Sequence, residues 1–247
     1  RFLDWAASGG QRIWQLLPLS PIAFANSPYA APSAFAGNPL LISADLLYRE
    51  GFLPGSAIED VPTFPLERVD YKVVIPWKES LLRRSWDRFR GSASSGARGE
   101  LDAFIAAPEQ AGWLQAWATF AALKARFQGR AWMSWDRDLA RRAPDAIARA
   151  ERDLEEEIGY HRYLQFLFFR QWNALRREAH ARGIRILGDA PIYVAGDSDD
   201  VWTNPRLFQL DEDLRPELVS GVPPDYFSEE GQLWGSPLYR WDRVEAE

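Results

Sequence analysis

The chain reads as an α/β protein, the first part of an incomplete (β/α)8 TIM barrel with a helix-rich insertion between early strands. Two apolar runs, Arg12 to Leu19 and Ile184 to Leu187, each lead into a Gly/Pro-rich loop, as barrel strands do where they reach the face that carries function. Roughly 100 residues of helical periodicity separate them. A complete barrel needs about 250 residues even with short connections. A chain of 247 residues with two strong strand candidates and a long helical stretch therefore holds only its opening part. We divide it into a first barrel segment with its loops (1–76), a helix-rich insertion ending in a barrel helix (77–182), and a strand with two further loops (183–247). The three together are expected to form a single domain, truncated at both ends.

Each element has a local reason. Arg12 to Leu19 (R-I-W-Q-L-L-P-L) reads as a buried strand ended by Pro18. The loop that follows carries N-S-P-Y (Asn26 to Tyr29) and S-A-F-A-G-N-P-L-L-I (Ser33 to Ile42). Loops longer than about 12 residues are functional or disordered, and the aromatic and small residues here argue against disorder. The loop is expected over the functional face. Ala44 to Glu50 reads as helical, and an extended, Pro-containing passage ends near Val69 to Ile75. From Trp77 the pattern is helical, with one Gly/Ser break at Gly91 to Gly99. Trp113, Trp117, Phe120, Leu123 and Phe127 recur at three- and four-residue spacing and mark one buried face. Leu154, Ile158, Leu164, Phe168, Trp172 and Leu175 mark another, on a helix of about Arg152 to Arg182. That helix starts acidic (Glu155 to Glu157) and ends basic (Arg176, Arg177, Arg182), complementing its dipole. Gly183 closes it as a C′ residue. The run from Ile184 then delivers the carboxylate of Asp189 into a Gly/Pro-flanked turn.

Composition excludes several classes of function. Cysteine is absent, which removes disulfides, thiolate nucleophiles and Cys-based metal sites together. The only Met is Met133 and the chain opens at Arg1, so the natural amino terminus is expected upstream. No apolar run approaches the roughly 18 residues of a membrane span, and no signal peptide is visible. We expect a cytoplasmic protein that does not engage a membrane. Net charge is −6, and Lys72, Lys78 and Lys124 are the only lysines among 29 basic residues. The arginines are scattered among acids with no basic stripe, which speaks against nucleic acid. His161 and His180 are nineteen residues apart on one expected helix, too far to share a metal. The clusters Asp197 to Asp200 and Asp211 to Asp213 lack EF-hand spacing and read as solvated or capping acids. No metal site is expected. P-loop, G-x-G-x-x-G and G-x-S-x-G motifs are absent.

Twelve Trp, eight Tyr and fourteen Phe make the chain 14% aromatic, more than a plain core needs. About two thirds are expected to fill the core. The remainder can stack on sugar rings, and with Asp189 at the end of a strand they point to a sugar-handling enzyme. Read on its own, Asp189 is either a nucleophile candidate or an acid serving turn or capping chemistry.

Seven motifs carry a specific resemblance: W-Q-L-L-P-L (Trp14 to Leu19), S-P-Y (Ser27 to Tyr29), S-A-F-A-G-N-P-L-L-I (Ser33 to Ile42), Q-F-L-F-F-R-Q-W (Gln165 to Trp172), G-D-A-P-I-Y-V-A (Gly188 to Ala195), D-S-D-D-V-W (Asp197 to Trp202) and G-V-P-P-D-Y-F-S-E-E-G-Q-L-W-G-S-P-L-Y-R-W (Gly221 to Trp241). In this order, over nearly the whole chain, they resemble the amylomaltases. These are the 4-α-glucanotransferases, or disproportionating enzymes, of glycoside hydrolase family 77 in the α-amylase superclass. The resemblance implies transfer of α-1,4-glucan segments between maltooligosaccharides by a retaining double displacement, with neither metal nor organic cofactor. In that reaction two carboxyl groups about 5–5.5 Å apart act as nucleophile and acid/base.

The family's nucleophile stands in an R-x-D-H motif that occurs nowhere in this sequence. No catalytic residue is therefore expected here. All three catalytic carboxylates are expected beyond Glu247, in a missing C-terminal half of the barrel, and the fragment alone is expected to be inactive. The resemblance assigns substrate binding to Ser27, Tyr29, Asp189, Tyr226, Phe227 and Trp234. Tyr29 would stack on the sugar at the cleavage site, and Asp189 would hold sugar hydroxyls or orient the catalytic machinery. Tyr226 and Phe227 would clamp the acceptor from a lid spanning Gly221 to Trp241, with Trp234 supporting it or anchoring the lid to the core. Three positions depart from the family: Ala30 where Gln is common, Ser236 where Asn precedes Pro, and Gly196 in place of a larger residue. The rival reading is a non-catalytic glucan-binding protein, or half of a split enzyme completed by another chain.

Overall fold

The computed structural model describes residues 1–22, 26–57 and 61–244. Residues 23–25 of the long loop and 58–60 of the Pro-containing passage lie outside the described residues. In chain order the elements are α1 (Phe2–Ser8), β1 (Ile13–Gln15), α2 (Ala44–Arg49), α3 (Tyr71–Ser92), α4 (Ser95–Ala106), α5 (Leu114–Arg126), α6 (Arg137–Ala140), α7 (Pro144–Asp153), α8 (Glu155–Ala181), β2 (Arg185–Leu187), α9 (Asp199–Thr203), β3 (Val219–Val222), β4 (Gln232–Pro237) and α10 (Trp241–Val244). The architecture is α/β, mostly helical with few strands. The chain forms two compact units: Arg1–Leu16, Gly37–Gln115 and Gly159–Gly188 make the first, and Leu17–Ala36, Ala116–Ile158 and Asp189–Glu247 the second.

In the first unit β1 and β2 pair in parallel, with Ile13 opposite Arg185 and Gln15 opposite Leu187. The expectation of a buried strand over Arg12 to Leu19 is corrected. Trp14 and Ile186 pack on Leu3, Ala6, Ala179 and Ile184, whereas Ile13 and Leu187 on the other face are about half exposed. Strand alternation puts only one set of side chains on a covered face. At the end of α8, Ile184 N–H bonds the Ala179 carbonyl at 3.0 Å and Gly183 N–H bonds the His180 carbonyl at 2.9 Å. With Gly183 at φ +70° this is a Schellman cap, which turns the chain from helix into β2.

Helix α3 begins at Tyr71, although Val69 to Ile75 reads as extended and Pro76 lies inside the helix. The Asp70 side chain caps it by accepting the Lys72 N–H at 3.1 Å. Pro76 costs one backbone bond near the start, and the rest of the helix repays that by burying Leu81, Leu82, Trp86 and Phe89. The Gly/Ser break shrinks to two residues because Ser94 caps α4, accepting the Ala97 N–H at 3.2 Å. Trp86 and Phe89 pack on Tyr163 of α8 with ring centroids 5.2 and 4.7 Å apart. The Tyr163 hydroxyl meets Ser85 at 2.8 Å, and burial pushes its ionisation well above the ordinary phenol range. Lys78, buried on α3, donates to the Ile42 carbonyl at 2.7 Å, and burial lowers its ammonium pKa.

The motif Q-F-L-F-F-R-Q-W acquires a structural meaning here. Fully buried Gln165 accepts the Gly37 N–H at 2.7 Å and donates to the Gly37 carbonyl at 3.0 Å. Gln171 does the same for Ser43, at 2.7 and 3.4 Å. The two amides act as a one-residue strand partner for a segment that has no sheet to join. Such proximity needs a glycine, since a Cβ on Gly37 would fall 2.0 Å from the ring of buried Phe168.

In the second unit, Phe120 of α5 meets Trp117, Trp135 and Trp202 in a buried aromatic cluster. The Arg142 guanidinium lies 4.2 Å above the Trp202 ring. Strands β3 and β4 form an antiparallel hairpin, pairing Val222 with Gln232 and Val219 with Pro237 around an irregularity. This hairpin corrects the reading of Gly221 to Trp241 as loop throughout. Leu175, expected on the buried face of α8, is 37% exposed.

Gly37→Ala should therefore lower stability by about 1–3 kcal/mol through overpacking against Phe168. A urea midpoint equal to wild type would contradict this.

Candidate functional site

All six expected binding residues fall within the second unit, on three segments: the loop through Ser27 and Tyr29, the turn after β2 that bears Asp189, and the β3–β4 hairpin. The first loop is held by its own hydroxyls. Ser27 Oγ accepts the Tyr29 N–H at 3.3 Å, and Ser33 Oγ accepts the N–H groups of Phe35 and Ala36 at 3.3 and 3.2 Å. These are the short side-chain turns that serine favours. They leave the Tyr29 ring 46% exposed.

The Tyr29 hydroxyl donates to Asp189 Oδ2 at 2.7 Å, joining residues 160 positions apart. This bond, more than the slight desolvation or the carboxylate charge, raises the phenol's pKa. Asp189 is itself exposed. The pair thus offers an aromatic face beside an anionic acceptor, which suits the C–H face and hydroxyls of a sugar. Asp189 here has a phenol for its partner, not a carboxyl group, so the pair cannot supply the two acids of a double displacement.

On the hairpin, Asp225 Oδ1 accepts the N–H groups of Phe227 and Ser228, both at 2.9 Å, and Ser228 Oγ donates to the Gly231 carbonyl at 2.7 Å. Gly231 sits at φ +76°, where a Cβ would come 2.5 Å from the Val222 carbonyl oxygen. This tight base projects Tyr226 and Phe227 outward, 94% and 85% exposed, with ring centroids 5.1 Å apart. Trp234 is 52% exposed. Its indole N–H bonds Gln232 Oε1 at 3.1 Å, and its ring lies 6.5 Å from that of Tyr193. The structure joins Tyr29 to Asp189 and sets Trp234 beside Tyr193, four residues past Asp189. Tyr226 and Phe227 contact each other at the hairpin end.

Several supporting residues escaped sequence reasoning. The acids Asp197 to Asp200, expected to be solvated or capping, turn out to be held within the unit. Lys124 donates to Asp197 Oδ2 at 2.6 Å and to the carbonyls of Gly129 and Arg130 at 2.7 and 2.9 Å. Asp197 Oδ1 accepts the Trp132 N–H at 3.2 Å, and the Trp132 indole donates to the Gly196 carbonyl at 2.8 Å. A Cβ on Gly196 would meet Met133, Pro216 and Pro237 at 3.7–3.9 Å, ordinary contact, so the small residue is no steric requirement. Ser198 caps α9 by accepting the Val201 N–H at 3.3 Å. Asp199 is buried and Asp200 nearly so, and burial pushes both carboxyl pKa values up, that of Asp199 well above the usual range. Asp211, expected to be solvated or capping, instead braces a turn, its Oδ1 accepting the Asp213 and Arg215 N–H groups at 2.9 and 2.8 Å. The signal available for Asp199 and Asp200 was their position after a serine cap and before the apolar Val201 and Trp202.

A family profile described as 4-alpha-glucanotransferase matches residues 1–247. The chain is 48% identical to the 4-alpha-glucanotransferase of Thermus thermophilus, over all of this chain and 48% of that protein. It is 45% identical to that of Synechocystis sp., again over all of this chain and 48% of the relative. The chloroplastic/amyloplastic 4-alpha-glucanotransferase of Arabidopsis thaliana is 39% identical, over all of this chain and 42% of its own length. Among solved structures, the amylomaltase from Streptococcus agalactiae in complex with acarbose superposes with a TM-score of 0.93 at 38% identity, over 99% of this chain and 49% of that one. The amylomaltase from Corynebacterium glutamicum, at 19% identity and a TM-score of 0.68 over 96% of this chain and 32% of its own, shares the fold. The chain spans about half the length of the Thermus and Synechocystis relatives it matches.

Two outcomes are expected. Asp189→Ala should bring the Tyr29 ionisation down toward the ordinary value near 10. It is read as the tyrosinate absorbance difference between variants with and without Tyr29→Phe, and an unmoved titration would contradict the assignment. For Asp199 the folded pKa lies above the unfolded one of about 3.9, so the native state binds its proton more tightly and loses stability as pH rises from about 4 through the folded value. Asp199→Asn cannot ionise, and its melting temperature relative to wild type should climb between pH 4 and 8. Parallel curves would refute it.

Proposed function

Because this chain belongs to the 4-alpha-glucanotransferase family, we propose that it forms the donor-binding wall and the lid of an enzyme that moves α-1,4-glucan segments between maltooligosaccharides by retaining double displacement. The observation that carries the reading is the bonded pair of Tyr29 and Asp189, a half-exposed ring beside an exposed carboxylate. A sugar stacked on Tyr29 would present hydroxyls to Asp189, whose Oδ1 is not engaged by that bond. The Streptococcus agalactiae relative is in complex with acarbose, which supports a sugar-like ligand as substrate class. The nucleophile, acid/base and third carboxylate are assigned to the half of the family's length that this chain does not span. R-x-D-H is missing from the sequence.

The exposed Tyr226 and Phe227 suit a lid that grips the acceptor. Transfer outcompetes hydrolysis only when the covalent intermediate meets a sugar hydroxyl before water, and an aromatic flap over the site favours that order. Ser27 shapes the Tyr29 turn, and Trp234 supports the lid beside Tyr193. The fold is read as the opening part of a (β/α)8 barrel, seeded by the parallel β1–β2 pair. Glucans are the proposed partners, with no role for a cofactor, nucleic acid or membrane. Among the described residues, no helix is long and apolar enough to cross a membrane. A cytoplasmic location is proposed, although the name of the Arabidopsis relative assigns that protein to plastids.

The test is to incubate the full-length protein with maltotriose and resolve the products. Glucose together with maltooligosaccharides longer than the donor is expected. Asp189→Ala should lower kcat/KM about 10- to 100-fold, the cost of about 1.5–3 kcal/mol for a lost charge-assisted hydrogen bond. Absence of longer products from wild type would defeat the reading.

A further inference from the structure

We propose that Asp199 and Asp200 are positioning residues for the Tyr29–Asp189 pair, latching the loop that bears Tyr29 onto the short helix that follows the Asp189 turn. The proposal rests on the functional reading above and names residues which that reading leaves without a role.

Three contacts make the latch. Asp200 Oδ2 accepts the Ala34 N–H at 3.0 Å. The Asp199 N–H donates to the Pro32 carbonyl at 2.9 Å. The Asp199 carboxyl group is hydrogen-bonded by Ser33, which is fully buried. Three consecutive loop residues, Pro32, Ser33 and Ala34, are thus held by two consecutive residues of α9. Tyr29 lies three residues before Pro32 and Asp189 ten before Asp199, and these two are bonded to each other. The chain therefore closes a ring, with the sugar-facing bond on its exposed side and the latch on its buried side. Opening the buried side returns conformational freedom to the exposed one, and placement of a ring within a few tenths of an ångström is what rate depends on.

Charged and phenolic groups face the two carboxyls from neighbouring segments. Arg142 faces Asp199 from the segment between α6 and α7, and Glu151 of α7 faces Arg142. Tyr239, just past β4, faces Asp200, and Tyr193 lies beside Tyr239. One Asp199 oxygen, Oδ1, is buried with no hydrogen-bond partner among the described residues. Burial, and next the neighbouring Asp200 charge, pushes the Asp199 carboxyl pKa well up, and burial also raises that of Asp200.

The test compares Asp200→Asn, which keeps an oxygen for the Ala34 N–H, with Asp200→Ala, which does not, in the full-length protein. Two quantities are read: kcat and KM on maltotriose, and the Tyr29 ionisation obtained by difference against Tyr29→Phe without substrate. We expect Asp200→Asn within about twofold of wild type. Asp200→Ala should lose about tenfold or more, mainly in kcat, with Tyr29 titrating lower. An unchanged rate and titration in Asp200→Ala overturns the proposal. So does an equal loss in both variants that follows melting temperature and leaves the Tyr29 titration unmoved. Should Asp200→Ala not fold, Ser33→Ala takes its place with the same readouts, and an unmoved Tyr29 titration there overturns the proposal. The titration needs no turnover, so it separates failure of the latch from failure of the functional reading, which wild-type products decide.

Discussion

A backbone that leaves regular structure and still enters the interior must find hydrogen-bond partners, and in this chain side chains supply them. Gln165 and Gln171 serve Gly37 and Ser43, Lys78 serves Ile42, Asp200 serves Ala34, and the Trp132 and Trp202 indoles serve the carbonyls of Gly196 and Leu139. An unpaired buried amide or carbonyl costs about 1–3 kcal/mol. Each of these side chains therefore fixes the course of a loop as firmly as a strand pairing would. Four short strands are enough for the described residues because polar side chains from helices do the work that further strands do elsewhere.

The same constraint explains the split between helices and loops. Helices α3 and α8 satisfy their own backbones and differ mainly in which aromatic face they bury, so their job is to present Gln165, Gln171 and Lys78 at fixed heights. The loops contribute the exposed chemistry. Tyr29 and Asp189 can remain open to solvent because their neighbours three to ten residues away are pinned in the interior. Exposure on one side of a segment is secured by burial on the other.

Much of this was legible in the sequence and some was not. The aromatic spacing of α5 and α8 and the closing Gly183 follow from helical geometry, which acts within a few residues and so shows itself in a linear string. Local motifs single out Tyr29 and Asp189, but their bond spans 160 positions and no local rule encodes it. Pro76 misled because its penalty is local, whereas the apolar face that outweighs it lies further along α3. The hairpin was hidden by its exposed side chains and by Pro223 and Pro224. Asp199 and Asp200 read as solvated acids because their burial depends on Ser33 and Arg142, which are distant in sequence.

The arrangement around Lys124 has a consequence of its own. Its ammonium is encircled by Gly129 O, Arg130 O and Asp197 Oδ2 at 2.6–2.9 Å, an oxygen cage of the kind that elsewhere gathers around a dissociable ion. Here the cation is tethered to α5 by its own side chain, so it cannot be diluted away, chelated or exchanged. The turn between Asp189 and α9 is thereby organised at Asp197 by a cation that the chain itself carries.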